Sequence, residues 1–272
     1  GDDGTPVIDT AGLEKFVDER DPAIFETMHA ITLNSAHNCI SFYTWEDSHC
    51  CLPEGATSAT LVDDGTLTLK KGDAILFEEI YSPVTGIAAD ADARHRHVVR
   101  IKEVEAGITD ALTGVKVMNI AWYDEDALPF SLCLNSEIEN VLEAGDASLS
   151  LNEKSVARGN LVLADFGYTQ QNASIDANSE ENTTYYPELP EKEITVAVPY
   201  QHEEAKQLGA ASMMQQDPHE ALPVVSLFDG REVWRVKQDI LSSDRFAKEF
   251  VVETEQDGTS HLRFGDDQSG KK

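Results

Sequence analysis

From residue 39 to residue 122 the chain is cut into short β-branched and aromatic runs by turn residues at close spacing, and no 3.6-residue period interrupts them. Runs this short cannot bury themselves. They must pair sideways, so the segment predicts a small barrel or a sandwich. The runs are 39–45, 58–62, 66–69, 74–77, 97–101 and 115–122, and the punctuation includes Pro53-Glu54-Gly55, Asp63-Asp64-Gly65 and Lys70-Lys71-Gly72-Asp73. The densest part is 69–101. There, Gly72 supplies the positive backbone angle of a tight turn, 74–77 reads as a buried strand, and Ser82-Pro83-Val84-Thr85-Gly86 turns the chain back. Residues 97–101 form a second strand able to pair with the first.

The rest of the chain frames that segment. Residues 1–22 read as an irregular lead-in and 23–135 as the barrel or sandwich domain, with further strand-like pieces at 23–27 and 31–33. Residues 136–272 read as a second β-rich section with short helices. Its expected elements are a helical turn or two at 137–143, strands at 147–151, 160–164, 194–198 and 222–227, and a short helix at 202–211. A hairpin with an Asp-Gly turn joins 249–253 to 260–264 through Gln256-Asp257-Gly258. Residues 170–193 are rich in Asn, Ser, Thr, Glu and Pro, with almost no aliphatic residue but Ile175 between Gln170 and Tyr185, and predict an exposed excursion outside the core. Tyr185-Tyr186-Pro187 at its end is a plausible anchor, folded back onto the sheet or reaching a partner, which makes Tyr185 and Tyr186 interface candidates.

Charge narrows the partners. The chain has 272 residues with 50 acidic against 21 basic, a net charge of −29. A phosphate backbone would be repelled, so nucleic acid is an unfavourable partner. The carboxylates are spread along the whole chain and are not gathered in a tail. That pattern fits a protein of a salt-loving organism, kept soluble where screening is strong; the alternative is a basic partner or bound calcium. No signal peptide and no membrane-spanning run is visible, and the chain reads as a piece of a longer product. Cys39, Cys50, Cys51 and Cys133 are too few and too irregular for a disulfide framework, and a reducing compartment is the default. The triplets beginning at Asn172 and Asn182 match the glycosylation pattern at the level expected by chance.

Chemistry has few candidates. His95-Arg96-His97 puts two imidazoles on one side of a strand at a spacing used by metal sites, and His49 or Cys51 is the available third ligand. A metal-dependent enzyme or binding module built on these residues is therefore the alternative reading. Asp90 and Asp92 could hold calcium, but their loop lacks the alternation and closing glutamate of a dedicated site, so a solvated turn is favoured. His37-Asn38-Cys39 matches the end of a self-splicing segment, with too little chain before it for a splicing domain, and Asn38 reads as a turn residue. There is no Gly-x-Ser-x-Gly, no phosphate-cradling glycine loop and no Glu-x-x-His pair on a helix. The expectation is a protein without catalytic residues or cofactor.

Several motifs, in order, carry a resemblance. Residues 50–57 (CCLPEGAT), 69–79 (LKKGDAILFEE), 89–97 (ADADARHRH), 157–165 (ARGNLVLAD), Trp234 with 239–243 (DILSS), and 262–267 (LRFGDD) with Gly270-Lys271 are similar to the baseplate assembly proteins of contractile injection systems and tailed phages. The similarity runs from about Phe25 to the end. It implies a structural wedge component of the J-like class, longer than this chain at both ends. It further implies partners among the other wedge proteins and the sheath, tube and spike-hub neighbours of a six-fold assembly. Such a protein would be assembled in the cytoplasm and then become part of an extracellular tail-like particle or virion, with neither nucleic-acid binding nor membrane insertion.

Overall fold

The computed structural model describes residues 23–141, 150–170, 174–175, 185–192 and 194–271. The expected lead-in 1–22, most of the run 147–151, and the residues Asn172 and Asn182 lie outside the described residues. The protein is mainly β, as the sequence predicts, and divides into two units. The larger comprises His29–Val162 and Ala197–Ala221; the smaller comprises the described residues up to Met28 and those of Leu163–Val196 and Leu222–Lys272.

After β1 (Phe25–Thr27), which belongs to the smaller unit, the larger unit supplies β2 (Ile40–Ser41), β3 (Cys51–Leu52), β4 (Ser58–Val62) and β5 (Ala74–Glu79). It continues with β6 (Arg96–Thr109), β7 (Lys116–Trp122), β8 (Leu132–Cys133) and β9 (Ser155–Arg158). Six of these form one antiparallel sheet in the order β2-β9-β5-β6-β7-β4. Its two ends meet. Phe42, next to β2, bridges to Leu61 of β4, and the Tyr43 amide donates to the Thr60 carbonyl at 2.8 Å. The sheet thus closes as a small barrel, with β5, β6 and β7 in sequence and β4 returning beside β7 in a Greek-key arrangement.

Alternation along each strand explains the closure. Ile75 and Phe77, Val99 and Ile101, and Met118, Ile120 and Trp122 all share one buried cluster with Ile40, Phe42, Leu61 and Ala157. In a barrel this small, side chains fill the interior. Phe77 sits centrally in it, edge-on to Phe42 at 5.2 Å and to Trp122 at 5.1 Å. The β5–β6 hairpin has the expected pairing, with Phe77 opposite His97, and Gly72 and Gly86 hold positive φ at 92° and 70°.

Several expectations are corrected. The domain boundary at 135/136 does not hold, because β9 enters the barrel between β2 and β5, pairing Ala157 with both Ile40 and Phe77. Without it each of those strands would present an unpaired edge to solvent. The run 39–45 is a strand only at Ile40–Ser41, since Trp45 and Glu46 turn into the left-handed region at φ 50° and 62°. Residues 31–33 and 66–69 form no strand, and 137–141 form no helix. The run 160–164 is interrupted by Asn160 at φ 57°, and pairing starts only at β10 (Ala164–Phe166). The helix expected over 202–211 is α1 (His202–Ala205), followed by a 3-10 turn at Ala211–Met214.

In the smaller unit β1 pairs antiparallel with β10; the unit reaches Val196, the first residue of β11 (Val196–Ala197), and resumes with β12 (Leu222–Pro223). A four-stranded sheet follows in the order β13 (Leu227–Phe228), β14 (Val233–Val236), β15 (Glu249–Thr254), β16 (Ser260–Phe264), with β14 and β15 parallel. The Asp-Gly hairpin joins β15 to β16, with Gly258 at φ 84°. Trp234, Phe250 and Leu262 form the core, and Ile175 and Leu189 pack against it. Both ends of the expected excursion are therefore seated on this core. The Leu189 amide donates to the Ser260 carbonyl at 2.8 Å and the Leu262 amide to the Pro187 carbonyl at 2.9 Å, so 187–189 runs alongside β16. At two places the unit's backbone meets itself across a long interval. The Met28 amide donates to the Leu163 carbonyl at 2.9 Å, and the Val224 amide to the Thr195 carbonyl at 2.8 Å.

Candidate functional site

The alternation that turns Val99 and Ile101 inward places His95 and His97 on the same side near the start of β6, against Phe130. His95 stacks on Phe130 with centroids 4.7 Å apart, and His97 meets its edge at 6.4 Å. Both rings are also tied to the protein. His95 Nδ1 lies 2.7 Å from Glu79 Oε2, and the other Glu79 oxygen accepts from the Asp92 amide at 2.9 Å. His97 Nε2 donates to the Asp126 carbonyl at 3.0 Å. Glu79 is buried, so its carboxylate ties the end of β5 to the loop that enters β6.

Asp126 does more. It is fully buried, and its carboxylate accepts from three backbone amides: Arg100 at 2.9 Å, Ala210 at 2.7 Å and Ala211 at 2.8 Å. Charge-assisted bonds of this kind are about twice as strong as neutral ones. One side chain thereby joins β6 to the segment after α1. Nothing local marks this role, since Asp124-Glu125-Asp126 reads as one more acidic run.

His49 and Cys51 do not join His95 and His97. They line a pocket of about 300 Å³ with Cys133, Asn135, Glu137 and Ile138, and His49 Nε2 is 3.3 Å from Glu137 Oε1. The ligand set of the alternative reading is thus divided between two places. Among the described residues no three His, Cys, Asp or Glu side chains converge as a metal-holding group. In that pocket Cys51 and Cys133 face each other across β3 and β8 with sulfurs 3.0 Å apart.

The remaining candidates have partners within the chain. Asp92 is bound by Arg94 through Nε at 3.0 Å and Nη2 at 2.7 Å, and these bonds hold its carboxyl well below the usual range. Asp90 accepts from the Thr85 hydroxyl at 2.8 Å. Asn38 ends the 3-10 turn Ser35–Asn38, while His37 is buried, accepts from the Thr68 amide at 3.1 Å, and is pushed down in pKa by that burial. Tyr186 stacks on His261 at 4.6 Å and donates to Glu253 at 2.9 Å, and Tyr185 stacks on Phe264 at 5.7 Å. Of their two expected placements, the tyrosines take the one on their own sheet.

Compared with family models, curated proteins and solved structures, the chain matches none. Among the described residues no helix is long and apolar enough to cross a membrane.

Proposed function

We propose that the chain is a structural part of a baseplate wedge in a contractile injection system or contractile-tailed virus. The observation that carries this reading is where the resembling motifs fall. The 50–57 motif covers β3 and the turn before β4, 69–79 the Gly72 turn and β5, and 89–97 the loop entering β6. The 157–165 motif joins β9 to β10, Trp234 is core, and 262–267 closes the last strand. They lie on turns and strand ends of both units and share no single pocket, as expected of residues that shape a scaffold. The histidines proposed for metal chemistry are engaged in stacking and hydrogen bonds that fix the barrel.

The test uses the gene that encodes this chain. Deleting it should leave tubes and sheaths without complete baseplates in electron micrographs, and the protein should copurify with sheath, tube and spike-hub proteins in intact particles. Normal particles lacking the protein would overturn the reading.

A second expectation concerns salt. With a net charge of −29, self-repulsion loosens the fold in dilute buffer, whereas at about 1 M salt the screening length falls to about 3 Å. Each kcal/mol of relieved repulsion raises the melting midpoint of a chain this size by about 2–4 °C. The midpoint should climb steadily from 0.05 M to 3 M potassium chloride, and a flat profile would remove the halophilic reading.

A further inference from the structure

We infer that Cys51 and Cys133 are a thiol-oxidation site, closing on exposure to a disulfide oxidant into a cross-strand bond that locks β3 to β8.

Register puts them together. The Leu134 amide donates to the Cys50 carbonyl at 2.9 Å, which puts a ladder hydrogen bond one residue beyond the Cys51–Cys133 pair, while the Cys50 amide donates to Asn135 Oδ1 at 2.8 Å. By alternation, Cys51 opposite Cys133 is a non-hydrogen-bonded pair, the kind in which Cα atoms lie about 4.5 Å apart and side chains approach most closely. That spacing falls within the range of about 4.4–6.8 Å that a disulfide spans without moving the backbone. The two sulfurs already lie 3.0 Å apart, closer than unbonded sulfurs rest against each other. Cys50, one residue earlier, faces the other way and packs against the barrel core, where burial pushes its thiol up.

The pair is asymmetric, and the asymmetry assigns the order of events. Cys51 is exposed and lines the pocket of about 300 Å³, so a small oxidant reaches it first. Cys133 is half-buried; burial, and then the contact with Cys51, push its thiol up to about 12, so it waits as the resolving group. With a dialkyl disulfide as oxidant, the Cys51 thiolate attacks one sulfur, the oxidant's S–S bond breaks, and one alkyl thiolate leaves and is protonated. Cys133 then gives up its proton and attacks Cys51 Sγ, the protein S–S bond forms, and the second alkyl thiol leaves. Two cysteines are oxidised by two electrons, and one disulfide is reduced to two thiols. The bond would join positions 82 apart in sequence, a loop long enough for a large constraint on the unfolded chain.

The test treats the folded, fully reduced chain with 2-hydroxyethyl disulfide. Free thiols counted after denaturation should fall from four to two, peptide mapping should find Cys51 linked to Cys133 in a monomer, and the melting midpoint should rise by about 5–10 °C. Cys133→Ser should stop at the mixed disulfide, with one 2-mercaptoethanol adduct on Cys51. The proposal fails if four thiols remain, if Cys50 appears in the link as often as Cys51, if Cys133→Ser still loses two thiols to an internal bond, or if the chain in urea forms the same link equally fast.

Discussion

Replacing Asp126 with alanine should lower the stability of the larger unit by about 3–5 kcal/mol, read as a fall in the urea midpoint by circular dichroism. Three backbone amides, of Arg100, Ala210 and Ala211, lose their acceptor at once when this fully buried carboxylate is removed. Each buried unsatisfied amide costs about 1–3 kcal/mol, and the losses are not fully additive. Asp126→Asn should lie between, because one of its oxygens becomes an NH₂ group facing an N–H. The neighbourhood leaves little room for adjustment: a Cβ on Gly209 would already press on Asp126 Oδ1 at 2.9 Å. A loss below about 1 kcal/mol for the alanine variant would show that water or another side chain takes over the three donors.

Gly265→Ala should cost the smaller unit about 3 kcal/mol. A methyl group there would overlap the Gly270 carbonyl and the Ser269 oxygen, which are backbone atoms held in place by a short loop. The Gly265 amide donates to the Lys271 carbonyl at 3.1 Å, the Asp267 amide to the Gly270 carbonyl at 3.0 Å, and the Lys271 amide to the Ala247 carbonyl at 2.9 Å. Admitting the methyl means opening that loop. The control is Gly107→Ala on the exposed part of β6, where φ is 75° but a Cβ meets nothing within 4 Å, so only backbone strain of about 1–2 kcal/mol applies. Equal losses at the two sites in thermal melts would mean that the close approach at Gly265 contributes nothing.

These two sites differ in how far the sequence announces them. The Gly72 turn, the β5–β6 hairpin and the Asp257-Gly258 turn were legible because local chemistry decides them: a glycine where φ is positive, β-branched runs beside it, pairing between neighbours in sequence. β9 was not. Ser155-Val156-Ala157-Arg158 has a single β-branched residue and follows Lys154, which is buried with Nζ 2.6 Å from the Ile138 carbonyl; only the slot between β2 and β5 makes these residues a strand. Asp126 is one of three consecutive acidic residues, and nothing local distinguishes the one that receives amides from far along the chain. The histidine spacing was legible and its consequence was not. His95 and His97 do share a side of β6, but Phe130, Glu79 and the Asp126 carbonyl occupy them there. Cysteines 82 apart meet only once the register of β3 and β8 is known.

The two places where the smaller unit's backbone bonds to itself bear on how such a gene can change. The chain departs after Met28 and is back at Leu163 one hydrogen bond away; it departs again after Thr195 and is back by Val224 in the same way. Each interval is a detour with its exit and entrance side by side. Residues can be added to such a detour, or one detour exchanged for another, without moving the backbone that flanks it, because the gap to be spanned stays the same and the entropy of a longer loop grows only slowly with length. The joints at 28/163 and 195/224 are where a recombining lineage, or an engineer, can graft a different module and keep the host sheet in register.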